Sequence, residues 1–191
     1  LKDYRLNHTY RVARYGKILA KNELTLNEEA LIIGCLLHDA GYIYDYKEPL
    51  THKDHGREGA KIVKDFVNSL DLEETYKVQI LYGIASHVDG ESDIEGTPTI
   101  LSESISDCDN LDRFDVYRIY DYLTWVDFKH LSLAKQIEYC DNKLAGIEKV
   151  KEYKMATATA NKLFQEKLDF QKVFFQQLLD QLEKSDYNIL Y

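Results

Sequence analysis

The chain predicts an all-helical fold, and two observations carry that expectation. Apolar residues recur at three-to-four spacing along nearly the whole length. Only two prolines and nine glycines interrupt 191 residues, too few for the turns a sheet requires. A first helix is expected over residues 6–21, with Val12, Tyr15, Ile18 and Leu19 on one stripe. A second starts after Asn27, whose side chain can accept from a first-turn N–H, and carries Glu28 and Glu29 where the helix dipole favours anions. It ends near Asp39, with Gly41 expected as its C-terminal stop. Its run Leu31-Ile32-Ile33-Gly34-Cys35-Leu36-Leu37 is apolar almost throughout, which predicts a central helix buried on most sides. A loop over 42–53 follows, then helices over 54–69 and 72–87, a second loop over 89–97, and a fifth helix over 99–122. Beyond His130 the pattern is long helix to about residue 182, interrupted near Ala145-Gly146 and over 157–161.

Composition narrows the function. Lys and Arg number 24 against 33 Asp and Glu, a net charge of -9, so duplex nucleic acid and anionic membrane surfaces are excluded as general partners. A small phosphorylated substrate stays open if a metal ion supplies local positive charge. Cys35, Cys108 and Cys140 are odd in number and lack C-x-x-C spacing, so neither a disulfide framework nor a thiolate zinc site is indicated. No apolar run approaches the ~18 residues of a membrane span, and a soluble cytoplasmic protein is the expectation. The expected organisation is a core over 1–125 with a helical extension over 126–191 packed on it. In that extension, residues 173–179 and Leu182 form an apolar stripe, read as a packing face or, more sharply, a homodimer surface.

The chemistry lies in His38-Asp39, at the end of the apolar second helix. Imidazole and carboxylate both lose water there and must find partners. A capping Asp beside a backbone-bonded His would satisfy both, and so would a metal ion. Four further histidines, His8, His52, His55 and His87, share the first half of the chain. The segment Asp107-Cys108-Asp109-Asn110-Leu111-Asp112 puts three carboxylates into an otherwise helical, apolar stretch, where they are poor helix formers. Metal ligation supplies a reason.

Four pieces together resemble the HD-domain superfamily of metal-dependent phosphohydrolases: Asn7-His8-Thr9-Tyr10-Arg11-Val12, Leu36-Leu37-His38-Asp39-Ala40-Gly41, His55-Gly56-Arg57-Glu58-Gly59-Ala60, and Ser106-Asp107-Cys108-Asp109-Asn110-Leu111-Asp112. The last is similar to the family's D-A-D-x-L-D element, with Cys108 in place of alanine. The resemblance covers roughly residues 7–117 and implies an HD-domain-like helical bundle with additional C-terminal helices. It implies that His8, His38, Asp39 and Asp109 coordinate one ion. Asp109 precedes x-Leu as the family's closing Asp does, but Asp107 remains the alternative; the two point about 200° apart on a helix, so only one can face inward. Asp107 and Asp112 would then cap, pair with Arg113 or face solvent. His55 and His87 look like the additional histidines that hold a second metal or contact phosphate, which makes Asp39, His55 and His87 the candidate catalytic groups. His52 and His130 are read as surface or capping residues.

Donors that are all nitrogen or oxygen suit Mn, Fe, Co, Ni or Zn, with Mg less favoured by imidazole, as one or two ions. Lys53 and Arg57, which flank His55, are the candidate phosphate contacts. Tyr42, Tyr44 and Tyr46 alternate along the loop and could stack on a base or pack on the body. The expected activity is cleavage of a phosphate ester or anhydride of a nucleotide or similar small substrate by a metal-activated water. HD-type di-iron oxygenases share the same order of ligands, and a non-catalytic nucleotide- or metal-binding module is the third class. The complete ligand set argues against that third class.

Overall fold

The first helix, α1 (Lys2–Asn22), begins earlier in the chain than the stripe predicts, because no breaker precedes Leu6. The computed structural model describes residues 2–44 and 54–185, and among these the secondary structure is helical with no strand. A second helix, α2 (Glu28–Leu37), starts where Asn27 accepts a hydrogen bond from the Ala30 N–H at 2.9 Å. A 3-10 turn over Ala40–Tyr44 follows it. Then come α3 (Asp54–Ser69), α4 (Glu74–Ser86) and α5 (Ile100–Arg113). Contacts run between α1 and α2, between α2 and α4, and from α3 to both α4 and the 3-10 turn. His52, Lys53 and Tyr46 lie outside the described residues.

Two expectations about helix continuity are revised. The stretch expected as one helix over 99–122 is two, because the chain turns at Phe114 and Asp115 and restarts as α6 (Val116–Trp125). Asp115 is extended and accepts from the Val116 N–H at 2.7 Å, so the chain takes an N-cap there in place of another helical turn. Conversely, α7 (Leu133–Val150) runs unbroken through Ala145-Gly146. One glycine in a helix costs only about 1 kcal/mol, which the flanking residues absorb. The interruption before α8 (Ala158–Glu183) is held by Asn161, whose side chain donates to the Met155 and Thr157 carbonyls and accepts from the Met155 N–H.

Among the described residues the chain forms two compact units. One runs through Asp112 and includes Met155–Asn161; the other comprises Arg113–Lys154 and the chain from Lys162. In the first, Val12, Leu19, Leu31, Ile80, Ile84, Ile105 and Leu111 are fully buried. Gly34 of α2 and Gly83 of α4 both close on Ile105 of α5: a Cβ at Gly83 would lie 2.6 Å from its Cδ1, and one at Gly34 would collide with it. Three helices thereby approach to side-chain contact with one residue. Helix α2 buries Ala30, Leu31, Gly34 and Cys35, whereas Leu36 is exposed, so it is covered on one face and not on most sides. In the second unit, Ile119, Cys140, Ile147, Phe164, Leu168 and Phe175 are buried, with Phe114 and Phe164 edge to face at 5.0 Å. No helix among the described residues is long and apolar enough to cross a membrane.

Candidate metal centre

Five stretches of the first unit end or face inward at one place. His8 comes from α1; His38 and Asp39 directly follow α2; His55 lies in the first turn of α3; His87 directly follows α4; Asp109 sits in α5. The four imidazoles are 0 to 6% exposed, and an imidazole buried to that degree must have each ring nitrogen partnered. His8 Nε2 is 3.3 Å from His38 Nε2 and 3.2 Å from Asp109 Oδ1. His55 Nε2 is 3.1 Å from His87 Nε2. Asp39 lies between the two pairs: Oδ1 is 3.5 Å from both His38 and His55 Nε2 and 3.9 Å from His87 Nε2, and Oδ2 is 3.7 Å from His8 Nε2.

The other ring nitrogens state which atom carries the proton. His38 Nδ1 is 2.8 Å from the Cys35 carbonyl, and His87 Nδ1 is 2.8 Å from the Ile84 carbonyl. A carbonyl only accepts, so both Nδ1 atoms donate and each neutral ring presents a lone pair on Nε2. His8 Nδ1 donates to Asp112 Oδ2 at 2.7 Å, which leaves Nε2 as the atom that faces Asp109 and His38. The His38 and His87 lone pairs and His8 Nε2, which must give up its proton to join them, thus converge beside two carboxylates, an arrangement suited to a cation. Three overlapping triads, His8/His38/Asp39, His38/His87/Asp109 and Asp39/His55/His87, each have ligand atoms within 4.8 Å of one another. These residues could hold one or two ions.

Electrostatics follow the same geometry. Burial works against the charge of Asp39, but His38, the His55 hydrogen bond, His8 and His87 prevail and hold its carboxyl well below the usual range. Asp109 is likewise lowered, against burial, by the His8 hydrogen bond and by His38 and His87. Burial opposes protonation of His8, yet hydrogen bonds to Asp109 and Asp112 and the charges of Asp109 and Asp39 raise it to about 9. Burial and the neighbouring His38 push His87 down to about 4.

Around this set stands a supporting layer. Asp112, 1% exposed, accepts from Arg11 Nε at 2.6 Å and Arg11 NH2 at 3.1 Å while it orients His8. Tyr42 stacks on His55 with ring centroids 4.3 Å apart, and the Arg5 guanidinium lies 3.2 Å from the Tyr42 centroid and 3.6 Å from Asp39 Oδ2. Ser106 donates to the His87 carbonyl at 2.9 Å. Gly41 has no positive φ and is not a helix stop; a Cβ there would strike the His55 carbonyl, so it is glycine to let the 3-10 turn approach α3.

The other sequence candidates are placed as follows. Asp107 turns away from the cluster and accepts from the Ala156 N–H at 2.7 Å; burial, partly offset by that bond, raises its carboxyl to about 7. Asp112 does not pair with Arg113 or face solvent but is buried between His8 and Arg11. The spacing held a signal for this, since His8/Arg11 and Asp109/Asp112 are both i,i+3 pairs and so share helix faces. Arg57 is engaged at 3.0 and 3.1 Å by Asp89 and at 3.4 Å by Asp54. His130 is exposed and 2.8 Å from Asp127. Arg5, which sequence reasoning passed over, is a cation in contact with the cluster, and nothing in its local sequence distinguishes it.

Residues 5–113 match the family model of the HD domain. Among solved structures the chain is similar to a predicted HD superfamily hydrolase from an uncultured Thermotogales bacterium. The two are 22% identical, the match covers 92% of this chain and 80% of that one, and the TM-score is 0.60, a likeness of fold. No curated protein matches the chain.

Proposed function

The chain belongs to the HD-domain family, and from that premise we propose that it is a metal-dependent phosphohydrolase acting on a nucleotide or similar small phosphate ester or anhydride. The observation that carries this reading is the convergence of six side chains with Nε2 of His8, His38 and His87 turned inward. In this proposal His8, His38, Asp39 and Asp109 hold a first divalent ion. His55 and His87, with Asp39 shared, hold a second ion or contact the phosphate. Imidazole-rich donors favour Mn, Fe, Co, Ni or Zn over Mg.

A bound ion supplies polarisation of a phosphoryl oxygen and favours ionisation of an attacking water. The protein's own groups do the rest. Asp39, held ionised by the surrounding imidazoles, lies within 3.9 Å of Nε2 of all four histidines and can orient the water by accepting its hydrogen bond. Arg5, beside Asp39, offers a cation to phosphate oxygens. His55, stacked on Tyr42, is held beside Asp39 and His87. Lys53 and Arg57 are kept as further phosphate contacts, Arg57 on the condition that it exchanges Asp89 for substrate.

Elemental analysis of the purified protein, followed by phosphate release from nucleoside mono-, di- and triphosphates and bis-phosphodiesters with Mn or Co supplied, tests the proposal. Asp39→Ala should lose both metal and hydrolysis. Full activity in a metal-free protein would sink the idea. A second reading, a di-iron oxygenase, would use the same six side chains. Iron content with oxygen consumption, and no phosphate release, would select it.

A further inference from the structure

The second unit contains a cavity of about 310 Å³ formed by the end of α5 and by α6, α7 and α8. It shares no residue with the His/Asp cluster. Three cations line it, Arg113, Arg118 and Lys143, and no carboxylate does among the described residues. In a chain of net charge -9 that is a local inversion of sign. Several other cations are neutralised by acids, as Arg11 is by Asp112, Lys61 by Glu58 and Asp93, and Lys167 by Asp115. Lys143 instead sits over the Tyr122 ring at 4.3 Å and the Tyr139 ring at 5.3 Å, with no carboxylate partner among the described residues. Burial lowers its pKa, as expected of an ammonium that lacks a counter-ion. Arg113 also makes no ion pair among the described residues, and Arg118 stands 3.5 Å from Asp121.

Part of the wall is apolar, and Asn142 and Gln171 also line the space. Phe114, Ile119 and Phe175 face the space, and Gly146 leaves room, since a Cβ there would meet nothing within 4 Å. At about 310 Å³ the cavity lies at the small end of the range for ligand sites, about 300–1,000 Å³. We propose that this cavity binds a small organic anion, its carboxylate, sulfonate or phosphate group on Arg113 and Lys143 and a planar apolar body of one or two rings against Phe114 and Phe175. Cations that lack acid partners gain most from a charge-assisted hydrogen bond to such a group, and the aromatic walls recover area that inorganic anions cannot cover. The site is independent of the phosphohydrolase reading.

Naphthalene-1-sulfonate is a suitable probe, because it joins an anion to two fused rings and has no phosphoryl bond to cleave. Calorimetric titration into the full-length protein should give saturable binding with Kd on the order of 0.1 mM. Arg113→Ala, an exposed position, and Lys143→Ala should each weaken it at least about fivefold, and Lys143→Arg should restore most of it. Asp39→Ala should leave it unchanged. Absence of saturable binding at millimolar probe, affinity indifferent to both Arg113→Ala and Lys143→Ala, or loss of binding in Asp39→Ala would each overturn the proposal. The last result would place the anion at the His/Asp cluster and would leave the hydrolase reading untouched.

Discussion

His8 and Asp112 lie 104 positions apart and meet at 2.7 Å, with the same carboxylate also bound by Arg11. Helix α1 supplies both the imidazole and the guanidinium from one face, and α5 supplies the acid from the face that also carries Asp109. The carboxylate holds His8 Nδ1, so that Nε2 faces the cluster, and joins two helices of the first unit. Asp112→Asn keeps the volume but loses the anion, and metal affinity should fall about 10- to 100-fold. Asp112→Ala should further destabilise the fold by about 1–3 kcal/mol, because it removes a buried acceptor from His8 and from the partly exposed Arg11. Metal content and thermal melts of the two variants check this; wild-type loading in Asp112→Asn would refute it.

Metal uptake should release a proton. His8, raised to about 9 in the metal-free protein, is charged at pH 7 and must lose a proton to become a ligand, whereas His87, at about 4, is already neutral. Titration in two buffers of different ionisation enthalpy should show about one proton released per first ion at pH 7, with affinity rising about tenfold per pH unit up to about pH 9. The sign for stability runs the other way. A histidine raised above its ordinary 6.5 stabilises the metal-free fold fully below that pH, and the contribution is lost as pH rises through about 9. No proton release would remove His8 from the ligand set.

Asp107 makes the metal-free fold less stable as pH rises. Its carboxyl is raised to about 7, so between its ordinary 3.8 and that value the folded state holds a proton the unfolded chain has lost. Asp107→Asn keeps an oxygen to accept from Ala156 and removes the ionisation. Its stability relative to wild type should be greater at pH 8 than at pH 5 by about 1–3 kcal/mol, a pKa unit being worth about 1.4. Urea denaturation at both pH values, with chelator present, measures the difference. Equal effects at the two would contradict the burial argument.

Gly56→Ala should disturb the site through backbone. A Cβ there would lie 2.8 and 2.9 Å from the Ala85 and Ile84 carbonyls and 3.2 Å from His87 Nδ1, and the Ile84 carbonyl is the group that holds His87. Neither carbonyl can swing away as a side chain would, so a loss of about 2–3 kcal/mol is expected, together with weaker binding of any ion that depends on His87. Gly146→Ala, with open space around its Cβ, is the control and should be neutral or stabilising by up to about 1 kcal/mol. Equal melting temperatures for the two variants would refute the steric account.

Much of the helical order was legible because apolar periodicity and caps are local: Asn27 caps α2 as its residue type predicts, and α3 spans the stretch read for it. Where competing local signals were weak, the boundaries moved. The apolar pattern runs on through Phe114, and only the Asp115 cap divides α5 from α6. Gly146 read as a break because glycine is a poor helix former, yet one such residue is too small a cost to end α7.

By itself the sequence determined the helical class, the order of the elements and the stock of imidazoles and carboxylates, because each depends on residue type and short-range spacing. Only the tertiary structure decided which carboxylate of the 107–112 segment turns toward the histidines, that Asp112 is buried under His8, and that Arg57 is taken by Asp89. Helical periodicity says which residues share a face. What that face meets depends on packing between helices far apart in the chain, as when Ile105 draws Gly34 and Gly83 onto one point and α5 is rotated to carry Asp109 inward.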